Sequence, residues 1–171
     1  MTTKIKSLIM VMFLLVTFTI DAQSKRRSKK DTHNFRYEIE CIGEGSAGTY
    51  ALKVFSYSKK PTVAIEAAKR NAVHGIIFKG LSAGECVNKP ALARNPNLEL
   101  EKADFFKSFF ANGGKYSKFV TSSTDGAIEA GDVTKVSKKE YKIGVNVSVN
   151  VSLLRKDLEA AGIIQGLGSR F

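Results

Sequence analysis

Tryptophan is absent from these 171 residues, and cysteine, histidine and proline are scarce, at two, two and three copies. Each shortage excludes something. The two cysteines, Cys41 and Cys86, and the two histidines, His33 and His74, are too few and too scattered to make a zinc site. Neither histidine has a serine or cysteine placed to form a nucleophile–base pair, and both read as surface or interface residues. There is no internal repeat and no proline-rich tract. The longest apolar run, Leu8 to Ile20, is shorter than the roughly 20 residues that a membrane-spanning helix needs. No complete catalytic constellation is present, so no catalytic residue, metal or cofactor is expected.

What the amino terminus does contain has three parts. Lys4 and Lys6 precede the apolar run, and Asp21-Ala22-Gln23 is a polar exit with a small residue before the expected cut. This is the plan of a secretory signal peptide over residues 1–22, and it predicts a periplasmic or secreted protein with no transmembrane helix after cleavage. No cysteine follows the run, so a bacterial lipid anchor is not expected there.

Cations outnumber acids 27 to 16, a formal charge of +11. The excess is uneven. Lys25, Arg26, Arg27, Lys29 and Lys30 crowd into a basic tail at residues 23–33, whereas Asp31 to Phe171 holds 20 basic and 15 acidic side chains. Such a block is expected to stay solvated, and its functional reading is attraction to an anionic surface. Nucleic acid is not an expected partner of an exported chain. In an oxidising compartment Cys41 and Cys86 form a candidate disulfide, with buried free thiols as the alternative.

The remainder, residues 34–164, reads as one domain, with 165–171 as a terminal tail. Asn34 to Ile42 alternates, with Phe35, Tyr37, Ile39 and Cys41 on one face. Thr49 to Tyr57 alternates again after a glycine-rich turn, which predicts a β-hairpin. Pro61 and Thr62 open a helix whose Ala64, Ala68 and Ala72 recur every four residues, with Gly75 beyond and Gly80 as terminator. Leu81 to Asn97 is a loop. A second helix is expected from Leu98 to Ala111, a strand from Lys115 to Ser122, and a turn region bracketed by Gly126 and Gly131. Tyr141, Ile143, Val145, Val147, Val149 and Val151 then alternate against polar residues, the strongest strand signal in the chain. Ser152 or a neighbour caps a last helix bearing Leu154, Leu158 and Ala161. The order ββααββα predicts an α+β fold, an antiparallel sheet of about four strands with two or three helices on one face.

Gly43-Glu44-Gly45-Ser46-Ala47-Gly48 with Val63-Ala64-Ile65-Glu66 is similar to the glycine loop and lysine strand of protein kinases. Glu66 stands where the phosphate-pairing lysine belongs, and no H-R-D or D-F-G triplet follows, so the match is rejected. The same glycines lack the following helix of a dinucleotide fingerprint and the lysine of a Walker loop. Glu38, Glu40, Glu44, Glu66 and Asp104 are the carboxylates from which a small hydrolase could be built, the least favoured reading. Phe105, Phe106, Phe109 and Phe110 span more than one helical stripe, so they read either as core or as a partner-binding groove.

The alanine-row helix with its glycine, followed by a long alternating strand running into a terminal helix, resembles small α+β envelope domains. These are the amino-terminal domain of the flagellar assembly protein FlgT and related envelope lipoproteins. The Ala22-Gln23 exit and lysine-rich composition also resemble secreted proteins of Bacteroidota. The resemblance implies a non-enzymatic accessory or structural role in an envelope assembly, with other envelope proteins or a second copy as partners. The alternative is a binding module for an anionic surface or ligand that uses the basic tail.

Overall fold

The computed structural model describes residues 35–59, 61–86, 88–123 and 128–166. The expected signal segment and the basic run Lys25–Lys30 lie outside them, as does His33. Two strands come first, β1 (Tyr37–Glu44) and β2 (Thr49–Ser58), then a long helix, α1 (Pro61–Phe78). Two short helices follow, α2 (Leu98–Glu101) and α3 (Ala103–Phe109), then β3 (Val120–Ser122), β4 (Val133–Ser137), β5 (Glu140–Asn150) and α4 (Val151–Ala160).

The sheet is antiparallel throughout, in the order β1-β2-β5-β3, with β4 also paired to β5. Strand β5 organises it. Its register with β2 runs from Thr49 opposite Asn150 to Ser58 opposite Tyr141, which occupies one whole edge. The other edge is shared, β4 meeting Glu140–Ile143 and β3 meeting Val147–Val149. The α+β class holds, with five strands rather than four. Strand β4 gave no signal because all five of its residues are exposed, so there is no buried face to impose alternation.

Packing on the sheet follows from the sequence pattern. Leu52 and Val54 of β2 and Ile143, Val145, Val147 and Val149 of β5 are buried on one face. Helix α1 lies across β2 and β5 and meets that face with Ala64, Ala68 and Ala72, all fully buried. At Gly75 the fit is closer still, since a Cβ there would come 2.2 Å from Ile39 Cδ1. A buried polar contact crosses this layer between α1 and β2, Asn71 Nδ2 donating to Ser56 Oγ at 2.9 Å, so the two groups satisfy each other.

The free edge of β1 is covered locally by the loop after α1. Cys41 N–H donates to Ala83 C=O at 2.9 Å, and Glu85 N–H donates to Cys41 C=O at 2.8 Å. Gly84 lies between, at φ +97°, where a Cβ would be 2.0 Å from the Cys41 carbonyl oxygen. Only glycine combines that dihedral with that approach. Cys41 and Cys86 are joined in a disulfide, with Cα atoms 5.5 Å apart and a sequence separation of 45. By loop-closure entropy, a link of that span stabilises by about 4 kcal/mol.

Three expected elements change in detail. Residues Lys115–Phe119 form a 3-10 turn, and only Val120–Ser122 pairs as a strand. The expected helix from Leu98 breaks at Lys102, at φ −114° and ψ 33°, and ends at Phe109. Unbroken, it would align Leu98, Lys102 and Phe106 at four-residue spacing and carry a lysine into the core; the break leaves Lys102 exposed. Finally, β5 stops at Asn150. Val151, expected to be the last strand position, starts α4, and the cap is Asn150 rather than Ser152, with Leu153 N–H donating to Asn150 Oδ1 at 2.8 Å. Asn150→Ala is therefore expected to lower stability by about 1 kcal/mol in urea denaturation, and Ser152→Ala by less than half of that.

Candidate functional site

His74 is buried, which corrects the surface reading of this residue. It sits on the sheet-facing side of α1, 4% exposed, between the Phe78 and Phe110 rings at 4.8 and 5.6 Å. Its two nitrogens bridge separate elements. The Tyr37 hydroxyl of β1 is 2.6 Å from Nδ1, and Glu99 Oε1 of α2 is 3.2 Å from Nε2. An ionised Glu99 can only accept, so Nε2 carries the proton and Nδ1 accepts from Tyr37. Burial, with the charges of Lys79 and Arg70 adding to it, pushes the imidazole down to about 3. Burial, with Glu99 adding to it, raises the Tyr37 phenol, and burial raises the Glu99 carboxyl. Lys79 Nζ rests 3.9 Å from the centre of the Tyr37 ring. At neutral pH the imidazole is a neutral two-ended connector tying β1, α1 and α2 together.

The chain that leads into α2 forms one wall of a cleft. Leu92 N–H and Ala93 N–H donate to the carbonyls of Ile76 and Ile77 at 3.1 and 2.8 Å, which fastens the loop to the end of α1. Asn97 N–H donates to Asn95 Oδ1 at 2.9 Å and closes a local turn. Opposite stands the end of α4. Gly162, at φ +65°, reverses the helix, Gly162 N–H donating to Glu159 C=O and Ile163 N–H to Leu158 C=O. That is a Schellman motif, which folds the residues after it back along the helix. Between these walls lies a cavity of about 450 Å³, lined by Leu92, Leu98, Ile163 and Ile164 among apolar residues and by Arg94 and Arg155 among charged ones. Gln165 and Gly166, expected to belong to a terminal tail, also line it.

The aromatic cluster belongs mainly to the core. Phe106, Phe109 and Phe110 are 3%, 2% and 7% exposed, and Phe105 is half-buried. The rings of Phe78, Phe119 and Tyr116 cover them, so the cluster does not form the open groove that its width suggested. The 3-10 turn carries Tyr116 and Phe119, Phe78 comes from the end of α1, and neither that turn nor the break at Lys102 was legible in the spacing. The carboxylates are likewise dispersed. Glu38 takes Lys142 and the Tyr57 hydroxyl, Glu44 takes Lys89 and Glu66 takes Lys69, while Asp104 is exposed. On the outer sheet face Lys53 reaches Asp132 at 2.6 Å, and Lys142 and Lys53 lie 4.7 and 5.9 Å from the Phe55 ring. Gly43 lies within β1 opposite Ala51, Gly45 and Gly48 lie at the β1–β2 connection, and Val63-Ala64-Ile65-Glu66 is helical. Among the described residues no cluster of three or more histidine, cysteine or carboxylate side chains could hold a metal, and no helix is long and apolar enough to cross a membrane.

Comparison with protein-family models, with curated proteins and with solved structures gives no match for this chain.

The connector has a pH consequence. The folded-state imidazole lies below the ordinary value of about 6.5, so stability is complete above that pH and declines as pH falls toward 3. The slope is on the order of 1 kcal/mol per pH unit. Glu99, raised by burial, acts in the opposite direction within the carboxylate range, so the His74 effect is read in the window just below the ordinary imidazole value. Urea midpoints are expected to fall across that window, and His74→Gln to flatten the slope.

Proposed function

We propose that this chain works outside the cytoplasm as a non-enzymatic accessory or binding domain of a bacterial envelope. The observation that carries the reading is the Cys41–Cys86 disulfide, which staples the loop after α1 to the edge of β1. A bridge of this kind persists in oxidising compartments and is rare in the cytosol. It agrees with the signal-like segment at residues 1–22, an independent feature of the chain. A non-enzymatic role is supported by how the acid–base groups are used. His74 is held neutral between two partners, and Glu38, Glu44 and Glu66 are engaged in ion pairs. The small-hydrolase reading finds no support in that arrangement. The envelope setting rests on the resemblance to FlgT-like domains, with other envelope proteins or a second copy as partners.

Thiol trapping in intact bacteria, followed by mass determination, tests this reading. The expected product begins near Gln23 and has no alkylatable thiol. A chain retaining Met1 with two free thiols would place it in the cytosol and overturn the reading.

The second reading is contact with an anionic surface, favoured by Lys25, Arg26, Arg27, Lys29 and Lys30 in six positions. Each cation contributes about 1 kcal/mol near such a surface. Binding to vesicles containing anionic lipid is expected to weaken steeply between 50 and 200 mM salt, figures that bracket roughly physiological screening. Deleting residues 23–30 should abolish it, and salt-independent binding would dismiss this reading.

A further inference from the structure

We propose that the cleft between the Leu92–Leu98 loop and the end of α4 binds a small amphipathic anion, an acidic head of two or more oxygens on an apolar body. The cavity is about 450 Å³, within the size range of small-molecule sites. Its chemistry is divided in the way such a ligand requires. Leu92, Leu98, Ile163 and Ile164 supply apolar wall, and among the described residues the charged side chains that line it are the guanidinium groups of Arg94 and Arg155. Among the described residues no carboxylate lines the cavity. Arg155 is half-buried, and its Nη1 is 3.6 Å from Glu159 Oε1, too long for a hydrogen bond, so its donor fork is not committed to that partner. Arg94 is exposed and forms no ion pair among the described residues. A planar fork of N–H donors suits a carboxylate or a phosphate monoester, each of which accepts in bidentate fashion.

Both walls are held before any ligand arrives. The loop is fastened to the carbonyls of Ile76 and Ile77, and the α4 end is set by its Schellman bonds. Preformed walls reduce the ordering cost of binding. The inference concerns the folded, disulfide-linked domain and does not depend on where the cell places it.

The test uses the mature disulfide-bonded protein, residues 23–171, with octanoate, octyl phosphate, 1-octanol and inorganic phosphate as probes. Titration calorimetry measures affinity, and NMR of the Ile163 and Ile164 methyl groups reports location in the unsubstituted protein. At least one of the two octyl anions is expected to bind at one site and shift both methyls, with 1-octanol and inorganic phosphate each tenfold weaker or more. Preference for octanoate would assign a carboxylate head, and preference for octyl phosphate a phosphate head. The paired substitution Arg94→Gln and Arg155→Gln should weaken the anion tenfold or more and leave 1-octanol unchanged, since charge-assisted hydrogen bonds are lost. Three results would overturn the proposal: 1-octanol binding as tightly as the anions, no methyl shift with either anion, or undiminished anion binding by the folded double variant. The last would reassign the anion to the basic run.

Discussion

Helix α1 rests on the sheet through Ala64, Ala68 and Ala72, and beyond them Gly75 leaves room only for the end of Ile39. A row of side chains this small brings the helix axis close to β2 and β5, and dispersion contacts grow steeply as that distance closes. Much else is set from this seam. The helix places Asn71 against Ser56 and His74 against Tyr37, and its last carbonyls hold the loop that forms one wall of the cleft. Larger residues in the row would lift the helix and loosen all three together.

Two kinds of fastening then act on the irregular part of the chain. The disulfide and the paired backbone hydrogen bonds at Cys41 tie the segment after α1 to β1, and the Tyr37–His74–Glu99 connector ties α2 to the same strand. A long loop next to a sheet edge would otherwise leave backbone groups exposed to competing partners. The connector also accounts for both nitrogens of the only described histidine. A ring enclosed by Phe78 and Phe110 stays neutral at ordinary pH, and both of its nitrogens are engaged. Two cations, Arg94 and Arg155, line the neighbouring cavity, Arg155 with Glu159 at 3.6 Å.

The alternation of β5 and the four-residue alanine row were legible in the sequence, and with them the α+β class. Both patterns are local consequences of burying one face of a regular element, so spacing alone reveals them. The glycine-rich turn between β1 and β2 was equally plain, although the strand continues through Gly43 and Glu44 before turning, and so was the absence of the lysine that would have made it a phosphate loop. By contrast, β4 pairs through its backbone while its side chains face water, and pairing of that sort leaves no apolar period. The same is true of Asn150. Its capping role depends on the strand ending one residue before the valine alternation does, and only the helix geometry decides that.

Sequence by itself determined β1, β2, α1, β5 and the last helix, the signal-like start and the concentration of cations before Asp31, because each is written in neighbouring residues. It also showed Cys41 and Cys86 as a pair without deciding whether they meet. Tertiary structure decided that they do, that Phe106, Phe109 and Phe110 are enclosed rather than offered, and that Arg94 and Arg155, 61 positions apart in the chain, line one cavity. The physical reason is common to all three. Contacts between segments distant in the chain depend on where loops turn and how closely layers approach, and those depend on the packing of the whole domain rather than on any local period.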